Sequence, residues 1–284
     1  MDKFIPYGRQ NITEEDIKSV VNILKGEMIT QGPTVEIFEN LITEKLSCSY
    51  SVAVNSATSA LHLSCLALDL SAEDRLWTAS NSFVASANCG RYCGAEVDFV
   101  DINPKTGLMC IESLKNKLIE AEKSNKLPKI VIPVHLSGSC CDMKRIGELS
   151  KKFGFKVIED ASHAVGGKYE GEYIGNCKYS AITVFSFHPV KIITTGEGGL
   201  ATTNDQKIFE KLKVLRSHGI VKEKEKFILN PLGPWHYEQQ GLGLNYRMTD
   251  IHAALGISQF KRLDRICLKR NLLLERYKKN ISSE

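Results

Sequence analysis

Five short apolar runs constrain the fold of this chain more than any other feature: Tyr50 to Val54, Val97 to Ile102, Ile130 to Val134, Phe155 to Ile158 and Ile182 to Phe185. Most are continuous rather than alternating, so they predict strands buried on both faces. Between several of them lie stretches of helical period. One follows Asp142, and its apolar residues Met143, Ile146, Leu149 and Phe153 recur on one face. Buried strands interleaved with amphipathic helices predict an α/β protein with a mostly parallel sheet and helices on both faces. Two helices precede the first run. Thr13 caps the earlier one, with Glu14, Glu15 and Asp16 in its first turn, Ile17, Val20, Val21 and Leu24 on one face, and Gly26 as its stop. Pro33 opens the later one, whose apolar stripe is Val35, Phe38, Leu41, Ile42 and Leu46.

A chain of 284 residues can bury a substantial core, and its 43% hydrophobic and 25% charged residues are ordinary for a globular protein. The net charge of +4, from 37 basic and 33 acidic side chains, is too small and too scattered to argue for nucleic acid. No apolar run approaches membrane length and no leader pattern opens the chain, so the expectation is a cytoplasmic location without membrane contact. The nine cysteines form no CxxC pair and have no histidines at zinc spacing, which reads as reduced core thiols and no metal site. Cys140-Cys141, adjacent in sequence, carries no assigned function.

Ligands of such sheets gather at the carboxyl ends of the strands. Three segments place reactive groups there. The last run ends in Ser186-Phe187-His188-Pro189-Val190-Lys191, an amine able to form a Schiff base with an aldehyde cofactor. Val157-Ile158-Glu159-Asp160 delivers a carboxylate, and Asn55-Ser56-Ala57-Thr58-Ser59-Ala60-Leu61 is a strand-to-helix turn of small residues suited to a phosphate. Lysine, acid and phosphate cradle together describe pyridoxal 5'-phosphate chemistry. In this reading Lys191 is both covalent anchor and proton carrier, and Asp160 is the counter-charge that keeps a pyridine nitrogen protonated. The amides of Ala57 and Thr58, with the Ser186 hydroxyl, hold the phosphate. The run Gly196-Glu197-Gly198-Gly199 lacks dinucleotide-binding spacing, and no P-loop occurs in the chain.

These segments, with Ile29-Thr30-Gln31-Gly32-Pro33 and Gly233 to Gln240 leading to Asn245-Tyr246-Arg247-Met248-Thr249-Asp250, resemble the DegT/DnrJ/EryC1/StrS sugar aminotransferases from Ile5 to about Arg270. The resemblance implies a fold-type I pyridoxal phosphate enzyme moving an amino group, from L-glutamate, to C4 of a UDP-linked 4-keto-6-deoxy-N-acetyl hexose of the pseudaminic acid pathway. Alternatives are transamination of another nucleotide-linked keto-sugar and a truncated, non-catalytic cofactor-binding protein. It also implies that Phe83 stacks on the pyridine ring and His163 lies near the cofactor. Tyr7, Glu27, Met28, Ile29 and Thr30, with Ala57 and Ser186, contact the nucleotide-sugar. Asn245 reaches the partner's cofactor phosphate, and so implies a homodimer with shared active sites. The expected organisation is an arm and helix over 1–25, a cofactor-binding large domain over 26–265, and over 266–284 a helix leading toward a C-terminal small domain that this sequence lacks.

Overall fold

The computed structural model describes residue 6 and residues 8–281, so the expectation for Tyr7 lies outside the described residues. In chain order the elements are α1 (Glu14–Leu24), α2 (Thr34–Leu46), β1 (Tyr50–Val54), α3 (Ala57–Ala67), β2 (Arg75–Ala79), α4 (Ala85–Tyr92), β3 (Glu96–Val100), α5 (Ile111–Lys123), β4 (Ile130–Ile132) and α6 (Met143–Phe153). There follow β5 (Lys156–Asp160), a small hairpin of β6 (Lys168–Tyr169) and β7 (Glu172–Tyr173), β8 (Ile182–Ser186), β9 (Gly199–Thr203), α7 (Gln206–Arg216), a second hairpin of β10 (Ile220–Val221) and β11 (Glu238–Gln239), α8 (Asp250–Phe260) and α9 (Leu263–Asn280).

Seven strands form the main sheet in the order β1-β9-β8-β5-β4-β2-β3. Only β9 runs antiparallel to its neighbours β1 and β8; the remaining pairs are parallel. All five apolar runs are strands of this sheet, and Asp142 accepts the Arg145 N–H as the cap of α6. Two strands escape the apolar pattern. β2 opens on Arg75 and contains Thr78; β9 reads Gly-Leu-Ala-Thr-Thr, yet all five of its residues are buried. Threonine hydroxyls are tolerable there because they donate to main-chain carbonyls: Thr202 Oγ1 to Gly175 O at 2.8 Å and Thr203 Oγ1 to Ala181 O at 2.8 Å.

Side-chain alternation divides the core between two faces. On one, α3 and α4 bury Leu61, Leu63 and Cys89 against Ile158, Ile182 and Val184. On the other, α2 and α8 bury Phe38, Ile42 and Ala253 with Phe185 and Leu200, and α5 and α6 bury Leu114, Leu118 and Ile146 with Val131 and Val157. Asp160 and Ser186 share the parity of Ile158 and Val184, so both carry their side chains on the α3–α4 face. Glu159 projects from the other. All nine cysteines are unbridged, five of them buried, as the composition predicts.

Candidate active site

The register of the sheet assembles the site. Val54 pairs with Gly199, Gly199 with Ser186, and Asp160 with Val184, so the ends of β1, β9, β8 and β5 lie in one row. Above this row is a cavity of about 740 Å³, within the size range of a small-molecule site. Lys191, Asp160, Ala57, Thr58, Phe83, His163 and Ser186 all line it. The sheet thus brings together residues from four segments.

The lysine is placed by a tight turn after β8. The Lys191 N–H donates to His188 O at 2.9 Å, and the turn is tied back where Thr194 Oγ1 and the Thr195 N–H both donate to Phe187 O, at 2.8 and 3.0 Å. Burial pushes the Lys191 ammonium below its ordinary pKa of 10.5, with the Asp160 charge acting the other way. Burial, aided by Lys191, likewise lowers His163 against the opposing pull of Asp160. His163 Nδ1 accepts the Ser137 N–H at 3.2 Å, so the neutral ring carries its proton on Nε2.

Asp160 is 4% exposed and its carboxylate is held from both sides. Oδ2 accepts the Ser86 hydroxyl at 2.6 Å and Oδ1 accepts the Ser162 N–H at 3.1 Å. Its main chain is bracketed as well, by N–H to Pro133 O and by the His135 N–H to its carbonyl, both at 3.0 Å. On the opposite face of β5, Glu159 accepts from His135 Nε2 at 2.8 Å and from Thr183 Oγ1 at 3.0 Å. Burial acts to raise Glu159, but His135 with the Ser180 and Thr183 hydroxyls holds it below the usual carboxylate range. The Cys141 N–H donates to His135 Nδ1 at 3.2 Å, which fixes the proton of the imidazole on Nε2, facing Glu159.

At the start of α3, Ser56 is the N-cap. Its Oγ accepts the Ser59 N–H at 3.1 Å and its carbonyl the Ala60 N–H at 3.0 Å. Of the four amides a helix start leaves over, those of Ala57 and Thr58 therefore remain for a ligand. Gly199 passes directly beneath this turn. A Cβ there would strike Ala57 N and the main chain of Ser56, so only glycine lets β9 approach so closely. An amine with a lowered pKa, a buried carboxylate and a helix N-terminus in one cavity are the donor set that pyridoxal phosphate requires, and these residues fit it.

Other expected residues stand apart. Glu27, Met28, Ile29 and Thr30 are exposed and do not line the cavity; their segment is tied instead to α8, the Asp250 N–H donating to Ile29 O at 3.1 Å. Asn245 is exposed and outside its own cavity, in an isolated bridge with Ser217. Phe83 is 71% exposed at the cavity wall. Sequence reasoning missed His188, Glu197 and Ser162 as lining residues and Ser86 as the support of Asp160. Glu197 and His188 flank Lys191 within segments already singled out, so proximity to the lysine was the available signal. Ser86 gave none, because its partner is distant in sequence.

Comparison with known proteins points the same way. At 38% identity over 275 residues, the chain is similar to the UDP-4-amino-4,6-dideoxy-N-acetyl-beta-L-altrosamine transaminase of Campylobacter jejuni, covering 97% of this chain and 69% of that one. Helicobacter pylori PseC, an aminotransferase involved in the biosynthesis of pseudoaminic acid, superimposes with a TM-score of 0.83 at 33% identity, over 93% of this chain and 67% of that one. The PLP-form of the putative sugar aminotransferase Spr1654 from Streptococcus pneumoniae does so at 0.84 and 28%, over 98% and 71%. The fold is that of the fold-type I enzymes, and the chain spans about two thirds of the length of the curated relatives it matches. The model of the DegT/DnrJ/EryC1/StrS aminotransferase family matches residues 10–283, nearly all of the described chain, and the chain belongs to that family.

Proposed function

We propose that this chain is the catalytic part of a pyridoxal phosphate-dependent nucleotide-sugar aminotransferase. In this reading it moves the amino group of L-glutamate to C4 of a UDP-linked 4-keto-6-deoxy-N-acetyl hexose. The observation that carries the reading is the convergence of Lys191, Asp160 and the α3 N-terminus on one cavity. The Campylobacter jejuni transaminase and PseC support the choice of sugar.

Bound there, pyridoxal phosphate supplies an aldehyde to take up the amino group and a ring that stores the electron pair released at carbon. Lys191 Nζ, shifted toward the neutral amine by its burial, would hold the cofactor through its aldehyde and would carry the proton taken from the α-carbon of the amino donor. Asp160, held in place by Ser86 and Ser162, would keep a proton on the ring nitrogen. The Ala57 and Thr58 amides and the Ser186 hydroxyl would hold the phosphate, and Phe83, at the cavity wall, would pack against the ring. These donors leave phosphate oxygens to be filled. In this reading Asn245, exposed and outside its own cavity, fills them for a second copy, and the working unit is a homodimer with shared sites.

The test is incubation of the purified, cofactor-loaded protein with L-glutamate and a panel of UDP-, GDP- and dTDP-linked 4-keto sugars, followed by mass spectrometry. Amination of the UDP-linked N-acetyl sugar supports the reading. Amination of a GDP- or dTDP-linked sugar alone reassigns the substrate, and no amination of any sugar overturns the activity.

A further inference from the structure

We propose that Ser86, which does not line the cavity, is a positioning residue that sets the orientation of the Asp160 carboxylate. The inference rests on the pyridoxal phosphate reading of the site. Ser86 lies in the first turn of α4 and is fully buried. Its hydroxyl reaches across to β5 and donates to Asp160 Oδ2 at 2.6 Å, the length of a charge-assisted O–H···O⁻ bond. Its own amide donates to Phe83 O at 3.1 Å, and the Cys89 thiol donates to its carbonyl at 3.3 Å. One residue thus joins the aromatic at the cavity wall to the acid at its floor.

The hydrogen-bond inventory gives the hydroxyl its role. A carboxylate offers about four acceptor positions. Ser86 takes one on Oδ2 and the Ser162 N–H one on Oδ1, which fixes the carboxylate plane and leaves a lone pair on each oxygen. A ring N–H arriving from the cavity then meets an oriented acceptor. Held in that plane, the carboxylate faces the ring N–H and favours the proton on the ring nitrogen. Without the hydroxyl only the Ser162 N–H holds the carboxylate, and its plane is no longer fixed toward the ring nitrogen.

The test uses pyridoxal phosphate labelled with ¹⁵N in the ring, bound to wild type, Ser86→Ala and Ser64→Ala. Ser64 is the control: it is fully buried in α3, and its hydroxyl donates to Ala60 O at 2.7 Å with no bond to Asp160. The ¹⁵N chemical shift of wild type is expected at the protonated position. Ser86→Ala should move it toward the value of unprotonated pyridine and raise the cofactor dissociation constant about tenfold, on the scale of one hydrogen bond to a charged group. Ser64→Ala should lower thermal stability and leave the shift unmoved. A Ser86→Ala protein with the wild-type shift and dissociation constant overturns the inference while leaving the functional reading intact. A wild-type chain that takes up no pyridoxal phosphate overturns both.

Discussion

Replacing Asp160 by asparagine separates the chemistry of the site from its architecture. The amide has nearly the volume of the carboxylate, and the surrounding donors can accommodate it. Its oxygen can accept the Ser162 N–H, while the Ser86 hydroxyl can rotate to accept from the new NH₂ group. Two charge-assisted bonds become neutral ones, a loss of about 1 kcal/mol each, and a side chain only 4% exposed no longer has a charge to desolvate. These effects offset, so unfolding should change by no more than about 1–2 kcal/mol. Catalysis has no such compensation, because a neutral amide cannot hold a proton on the ring nitrogen as the electron pair arrives. Loss of one preorganised electrostatic partner slows such a step by about 10²–10³-fold, or about 3–4 kcal/mol of barrier. Stopped-flow absorbance of the cofactor after mixing with L-glutamate measures the half-reaction, and urea denaturation measures stability. A half-reaction within about threefold of wild type would refute the assignment and leave Asp160 a structural residue.

Burial lowers the pKa of Lys191, so the free amine that captures an aldehyde forms at lower pH than in an ordinary lysine; uptake of pyridoxal phosphate by the cofactor-free protein should rise with pH to a midpoint below 10.5, and a midpoint at or above that value contradicts the placement. Gly199→Ala puts a methyl group against the Ser56–Ala57 main chain, which cannot yield without moving the turn; thermal unfolding should show a loss of about 1–3 kcal/mol and cofactor titration a weaker complex, whereas unchanged values would mean the turn is not held as described. A mixed dimer of Lys191→Ala and Asn245→Ala subunits, isolated with dual tags, should retain up to about half the activity of wild type, since one of its two sites is intact; no recovery would place Asn245 in its own subunit's site.

Much of the site was legible in the sequence because its groups sit at strand ends. The runs ending at Asp160 and Ser186 are continuous apolar strands, and their termini mark where the sheet delivers side chains to a ligand. The turn at Ser56 was readable for a similar reason, since small polar residues after a buried strand signal a cap. β9 was not readable: its burial rests on Gly199 and on threonines satisfied by distant carbonyls, neither of which leaves an apolar pattern. β2 was hidden in the same way by Arg75 and by Thr78, whose hydroxyl donates to Ile132 O at 3.0 Å. Ser86 was invisible because its partner is 74 residues away and only the packing of α4 on the sheet joins them. The exposed residues 27–30 and Asn245 were suggested by resemblance alone.

The most direct measurement is borohydride reduction of the protein loaded with pyridoxal phosphate, followed by proteolysis and mass spectrometric mapping of the modified lysine. One stoichiometric adduct on the peptide containing Lys191, absent in Lys191→Ala, is the predicted result. An adduct on any other lysine, or a wild-type protein that takes up no cofactor, would contradict the central claim.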